Sequence, residues 1–377
     1  MSASPGLVVT APDSASISHQ ASGGLIVREV TLRDFRSYPQ LELELEPGVV
    51  LVSGPNGAGK TNLLEALHVG TQGFSPRARS DAQLVRFGMP AGRIHLRGSN
   101  GAVPFESDIG LSPREARRAR LNGAALRSAE QLRLELRTLV FTPDRLAVVK
   151  GAPATRRAYL DRSVGRLFPA RAAVPVEYAA AVGQRNAALR RLVVSASSHD
   201  ALTPWTEAVL SLGAALVDAR ARTIALLGPV FATCAERLGL SGATLSYDGE
   251  APTPDDFEQR LERDLERGLT GAGPHLHDVR LEAGGRDLRY FGSQGEQRVG
   301  VLSLVLAEAE ILGERTGTAP LVLLDDVLSE LDDERRRALA EMVTTGGQTV
   351  ITATAAAALP MEPAQVLVVS PGQVRGG

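Results

Sequence analysis

From residue 25 the stretch LIVREVTLRDFRSYPQLELELEPGVVLVSG alternates apolar and polar residues, then becomes continuously apolar at Val49 to Val52. Alternation predicts half-buried strands, and the closing run predicts a strand covered on both faces. A helical period starts at Lys60 and runs through TNLLEALHVG, and strand alternation returns from Arg93 to Ile109 around a glycine turn. Near Leu139, LVFTPDRLAVVKG leaves the strand pattern at Pro143. From about Pro153 alanine, arginine and leucine dominate, and no strand is expected before about Leu245. Within this stretch Trp205, Val209, Leu212, Leu216, Ala219, Thr223 and Leu226 follow the 4-3 spacing of a coiled-coil seam. Upstream, Tyr178, Val182, Leu189 and Leu192 fit the same spacing, with Arg185 as a polar interruption. At ~1.5 Å per residue the downstream seam is about 33 Å long. It predicts a short antiparallel helical arm, with an ordinary bundle as the alternative. Pro229 and then Gly268 to Pro274 are expected to close the arm. HDVRLEAGGRDLRY, LVLLDD and QTVITATA supply further strands. The expected organisation is α/β: a tail over 1–24, a head built from 25–152 and 272–377, and an inserted, mainly helical arm over 153–271.

Composition narrows the classes. Apolar residues make up 44% and charged residues 22%, ordinary values for a globular protein. No apolar run is long enough to span a bilayer. The Ser/Ala-rich N-terminus lacks the basic and apolar regions of a signal peptide and reads as a disordered tail. The single cysteine, Cys234, allows no internal disulfide and suits a reducing cytoplasm. A net charge of −2 excludes a uniformly basic nucleic-acid binder, though not a local basic face. Lys60 and Lys150 are the only lysines among 41 basic residues. Arginines cluster at Arg77/Arg79/Arg86, Arg114/Arg117/Arg118/Arg120 and Arg156/Arg157/Arg162.

Gly54-Pro55-Asn56-Gly57-Ala58-Gly59-Lys60-Thr61 satisfies G-x-x-x-x-G-K-[ST] between a buried strand and a helix. About 0.002 such matches are expected by chance in a chain of this length and composition. Glycines let the backbone wrap a phosphate and aim its N–H groups inward. The helix N-terminus adds partial positive charge. Lys60 is expected to reach the β- and γ-phosphates of ATP, and the Thr61 hydroxyl to ligate Mg²⁺. LVLLDD ends in two carboxylates. Asp325 is the candidate second Mg²⁺ ligand and Asp326 the candidate base or water-positioning group; alone, such a pair can also be a helix N-cap. A second anion-binding helix start appears at Phe291-Gly292-Ser293-Gln294-Gly295-Glu296-Gln297-Arg298. One nucleotide needs only the first of these devices.

These features resemble the phosphate loop, signature, Walker B strand and D-loop (Ser329 to Asp332) of ABC-type ATPases. The helical insertion between loop and signature resembles the SMC-like branch. Three further stretches, Leu32 to Tyr38, Gly54 to Ala66 and Phe141 to Arg162, narrow the resemblance to the RecF family of bacterial recombination mediators. It runs from about residue 25 to 355.

The resemblance implies an ABC-type, SMC-head-like fold and an ATP-dependent homodimer. In such a dimer Ser293, Gln294 and Gly295 cap the nucleotide of the other subunit and Asp332 belongs to the D-loop. It adds Arg36 to the ATP-binding set. It implies sequence-independent binding to DNA at gaps or single-strand/double-strand junctions, work with RecO and RecR to load RecA, and no membrane partner. A transporter-type ABC ATPase and a P-loop kinase are the alternatives; the long insertion opposes the first, and the second phosphate-facing helix start opposes the second. The sequence departs from the ABC pattern in three places. Asp326 stands where glutamate is usual, which implies slow hydrolysis. Thr352 and Thr354 follow the next strand where a histidine is usual. Pro143-Asp144 occupies the place of the Q-loop glutamine. Gly273-Pro274-His275-Leu276-His277-Asp278 departs from the G-P-H-R-D-D that the RecF family often shows, and a metal site on His275 and His277 is disfavoured for want of further ligands.

Overall fold

The computed structural model describes residues 23–194, 199–343 and 347–376. Residues 1–22, most of the expected tail, lie outside them. Gly24, the last residue of the expected tail, bridges to Ala319.

Two six-stranded sheets build the head. The first is antiparallel, in the order Tyr38–Glu44, Leu25–Phe35, Gly92–Asn100, Val103–Leu111, Arg118–Leu121, Ala124–Ala125. The second runs Gln373–Gly376, Gln365–Ser370, Val49–Ser53, Thr349–Ala353, Leu321–Leu324, Thr138–Phe141, all parallel except the first. Its central strands are buried along their whole length, which is why they are apolar without alternation. Their side chains still divide by the two-residue period. Val50, Val52, Leu321 and Leu323 pack with Leu63, Leu64 and Leu67 of the helix Lys60–Gln72 and with the first sheet. Val49, Leu51, Val322 and Leu324 pack on the opposite face against the helix Gln294–Thr316 and Phe231. One parallel sheet thus separates two cores and delivers its loops to one edge.

The arm begins with the helix Pro153–Leu167. Val174–Val194 and Thr203–Arg237 then form the long pair. Tyr178, Ala181, Val209 and Leu216 close the seam with Phe257 and Ala272. Trp205 is 38% exposed and lies outside that seam. Pro229 does not end the arm: it sits inside the helix Thr203–Arg237. A proline there lacks an N–H and costs ~3 kcal/mol or more. Burial of Phe231, Cys234 and Ala235 beyond it, and of Leu227 just before it, offsets that cost. Those residues belong to the head core, as do Tyr159 and Leu160, and Ala243–Tyr247 pairs with Val279–Ala283 in a three-stranded sheet. Residues 153–271 are therefore rooted in the head on both sides of the insertion. Among the described residues no helix is long and apolar enough to cross a membrane.

Arg185 breaks the apolar seam because it is an ion-pair residue, buried to 1% exposure. Its Nη1 donates to Asp264 Oδ2 at 2.7 Å and to Thr270 Oγ1 at 3.0 Å, and the guanidinium lies over Phe257. Arg185→Leu leaves Asp264 buried and unpaired, so it should cost about 3–5 kcal/mol. The double variant Arg185→Leu/Asp264→Leu should recover most of that loss. Urea unfolding of all three proteins checks it; equal stability of the two variants would contradict the pairing.

Candidate functional site

The phosphate loop follows the fully buried strand Val49–Ser53 and opens the helix Lys60–Gln72. Gly54 has φ +151°, and a Cβ there would lie 2.3 Å from the Val369 carbonyl oxygen. Gly59, at φ +119°, caps the helix, and its Cβ would meet the Tyr38 hydroxyl at 2.9 Å. Both positions therefore require glycine. Lys60 Nζ donates to Gly54 O at 2.6 Å and Pro55 O at 2.9 Å, so the ammonium curls over the loop it belongs to. Burial lowers its pKa, while Asp326 and Asp325 pull it back up.

The two carboxylates stand beside this loop, at the end of Leu321–Leu324. Asp325 is 4% exposed, and its Oδ1 accepts from Thr61 Oγ1 at 3.0 Å and from Thr352 Oγ1 at 2.9 Å. Burial raises its pKa, against the two hydroxyl donors. Asp326 occupies left-handed backbone, φ +49°. Its N–H donates to Thr352 Oγ1 at 2.8 Å, and its carbonyl accepts from Arg298 Nη1 at 3.1 Å. Thr352, in the neighbouring strand Thr349–Ala353, thus holds both aspartates through one hydroxyl. Thr354 is exposed at the end of the same strand.

Arg36 sits in the turn between the first two strands with φ +52°. Its Nε and Nη2 fork onto the two Glu65 carboxylate oxygens at 2.7 and 2.8 Å. Ser75 Oγ also donates to Glu65, at 2.6 Å. Beside it Tyr38 donates to Gly59 O at 3.0 Å, and Asn62 Nδ2 donates to Ser37 Oγ at 3.0 Å. This turn therefore forms a rim over the start of the phosphate-loop helix.

Ser293 lies elsewhere. It caps the helix Gln294–Thr316 in a reciprocal capping box: its Oγ accepts from Glu296 N, and Glu296 Oε2 accepts from Ser293 N at 2.7 Å. Ser293 and Gln294 are exposed, and Gly295 is partly so. Tyr290 and Phe291 just before them are about 70% exposed. The helix Gln294–Thr316 reaches the carboxylates beside the phosphate loop through Arg298, which donates to the Asp326 carbonyl. Asp332 caps the next helix, its Oδ1 accepting from Arg335 N at 2.9 Å.

Residues 26–370 match the RecF/RecN/SMC N terminal domain family. The DNA replication and repair protein RecF of Heliobacterium modesticaldum is 35% identical over 344 residues, covering 87% of this chain and 92% of that protein. Its namesake from Acidothermus cellulolyticus is 38% identical over 347 residues, covering 87% and 93%. The chain belongs to the RecF family. A solved structure of the recombination mediator protein RecF–ATP in the RecFOR pathway superposes with a TM-score of 0.83 at 26% identity, covering 93% of this chain and 97% of that one. The Smc head domain with a coiled coil and joint from Pyrococcus yayanosii, at 13% identity and a TM-score of 0.58, shares the fold. The RecF-family chain is thus an ABC-type head with an inserted arm.

Sequence reading passed over Thr352 as a positioning group, and it missed Glu65, Tyr38, Asn62 and Arg298. None belongs to the motif it serves, so spacing could not reveal it. The structure also sorts the arginine clusters of this RecF-family head. Arg156 is buried and forks onto Asp278 at 2.6 and 2.7 Å, and Arg157 donates to His277 O. Arg117 is tied to Asp81 and the Gly73 carbonyl. Those three are structural. Arg79, Arg114 and Arg120 are exposed. His275 and His277 bond Tyr178 and Tyr247, and no metal-holding group of acidic, histidine or cysteine residues occurs among the described residues.

Proposed function

We propose that this RecF-family chain is an ATP-driven DNA-binding switch of recombinational repair, acting in the cytoplasm. The observation that carries the reading is the separation of two phosphate-facing devices. One is set with Thr61, Asp325 and Asp326; the other, at Ser293, is exposed and spends its hydrogen bonds on its own cap. Two chains joined head to head would let Ser293, Gln294 and Gly295 of each cover the nucleotide of the other, with Asp332 near the shared surface. Residues Gly54 to Thr61 would cradle the phosphates of ATP, Lys60 would leave its two carbonyls for the β- and γ-oxygens, and Arg36 would face the nucleotide from the rim. The Thr61 hydroxyl and Asp325 carboxylate form a hard oxygen pair that fits Mg²⁺. When bound, the ion neutralises developing charge on phosphate oxygens. Asp326 would orient the attacking water. Its side chain is shorter than glutamate, so hydrolysis would be slow, weakly DNA-stimulated, and suited to resetting a clamp. DNA at gaps or single-strand/double-strand junctions is the proposed ligand, with RecO and RecR as partners in loading RecA. Gel filtration with ATP and with ADP tests the switch: a dimer with ATP only is expected, and a monomer under both conditions would refute it.

DNA contact must come from local arginines, given the net charge of −2. A groove of about 640 Å³ on the antiparallel sheet is lined by Arg33, Arg93, Arg118 and Arg120 against Asp108 and Glu115, and it offers such a face. Each duplex phosphate neutralised lowers the slope of log affinity against log salt by about 0.9. A dimer presents each arginine twice, so duplex binding should be clearly steeper in salt with ATP than with ADP. Sequence preference is not expected, since phosphate contacts do not read bases. Equal slopes would place DNA on the monomer and refute the clamp.

A further inference from the structure

Where the arm leaves the head, positive charge outruns its acceptors. The helix Pro153–Leu167 places Tyr159, Arg162 and Arg166 on one face, at i, i+3 and i+7. Opposite them, Glu308 of the signature helix is fully buried. It accepts from the Tyr159 and Ser163 hydroxyls, each at 3.2 Å, from Arg166 Nη2 at 2.8 Å and from Arg166 Nε. Three of these donors share Oε2 and one takes Oε1, and the single negative charge of Glu308 is already spent on the Arg166 guanidinium.

Two guanidiniums remain. Arg145, in the turn Pro143–Leu146, lies 5.9 Å from the Tyr159 ring centroid, and its Nη1 is buried with no hydrogen-bond partner. Arg162 stands at the exposed rim, and among the described residues no acceptor engages it. Burial brings the Arg145 pKa down to about 10, and the Arg166 and Arg162 charges add to that effect. A trapped water could satisfy the Arg145 N–H but would bring no negative charge to the buried guanidinium.

We infer that Arg145 and Arg162 form a binding site for a phosphoryl oxyanion at the root of the arm. The two guanidiniums are carried by different elements, Arg145 over the Tyr159 ring and Arg162 one helical turn beyond Tyr159, and two such forks suit a tetrahedral anion with several oxygens better than a planar carboxylate. The group could be free inorganic phosphate or a backbone phosphate of DNA. Its position gives occupancy a route to the nucleotide site: Asp325 N donates to Phe141 O at 2.9 Å, and Arg145 follows four residues on. Only that coupling rests on the proposed ATPase reading; the anion site does not.

The test uses inorganic phosphate on the full-length chain carrying Lys60→Met, so that the phosphate loop does not dominate the response. Melting temperature is followed against phosphate, with chloride at matched ionic strength as the reference. Phosphate should raise it saturably. Adding Arg145→Leu or Arg162→Gln should weaken the apparent Kd at least ~10-fold, the loss expected for one charged hydrogen-bond partner. Arg162→Gln alters only an exposed rim residue, so its outcome does not depend on the core tolerating Arg145→Leu. In a second arm, with Lys60 restored, the two substitutions should make the duplex salt slope shallower by about 0.9 per lost contact if DNA is the source. An unchanged slope with a lost phosphate response assigns the site to free phosphate. No stabilisation beyond chloride, or an unaltered response in the double variant, overturns the inference. Failure of the native chain to bind ATP or DNA would sink the switch reading and leave this titration untouched.

Discussion

Lys60→Met will abolish nucleotide binding, and with it ATP-dependent dimerisation and ATP-dependent DNA binding. Lys60 is the only lysine that the loop can offer to the β- and γ-phosphates. Each hydrogen bond to a charged group contributes about 1.5–3 kcal/mol. Loss of two costs roughly 3–6 kcal/mol, a weakening of at least ~100-fold in Kd. The fold should not notice. Lys60 Nζ donates only to Gly54 O and Pro55 O, loop carbonyls that water can serve once the side chain is gone. The variant should therefore melt within a degree or two of the native chain while a fluorescent ATP analogue shows no saturable binding. Unchanged nucleotide affinity would end the phosphate-loop assignment.

How much of this was legible in the chain depended on sequence distance. The phosphate loop is eight consecutive residues whose backbone does the work, so the string itself carries the geometry. The Asp325–Asp326 pair was readable because a buried strand must end where its apolar run ends. Thr352 was not readable as a clamp. Its hydroxyl serves Asp325 and Asp326 from the neighbouring parallel strand, and the register that brings Leu324 opposite Ile351 is a tertiary fact. Glu65 was hidden for a related reason: it sits inside a helix that spacing reads as uniformly packed, yet it is the anchor of Arg36. The arm shows the opposite case. Its 4-3 spacing announced a helical pair, but Arg185 looked like an interruption because its partner Asp264 lies beyond the next helix. Pro229 looked like a terminator because local propensity favours a stop. Tertiary burial of Phe231 and Cys234 kept the helix going.

Ser293→Arg and Asp326→Asn should fail in opposite ways. Ser293 is exposed, and its hydroxyl makes one capping bond, to Glu296 N at 3.2 Å. Losing that cap costs about 1 kcal/mol, which a domain of this size tolerates. The new arginine projects from the surface proposed to meet the partner's γ-phosphate, so it should block dimerisation. Nothing about Lys60, Thr61 or Asp325 changes, and ATP binding to the monomer should keep its affinity. Asp326→Asn acts on the other side of the cycle. The Asp326 backbone supplies the bonds to Thr352 and Arg298, and asparagine tolerates the left-handed φ of +49° as well as aspartate does. The fold and the ATP-bound dimer should persist. The carboxylate that would orient water is gone, so hydrolysis should fall by at least ~100-fold. Gel filtration with ATP, nucleotide titration and a phosphate-release assay on both variants give three readouts each. Loss of monomer ATP binding in a folded Ser293→Arg protein would place the serine in its own chain's site. Two heads sharing two nucleotides would then be the wrong description, and the exposed helix start would need another partner.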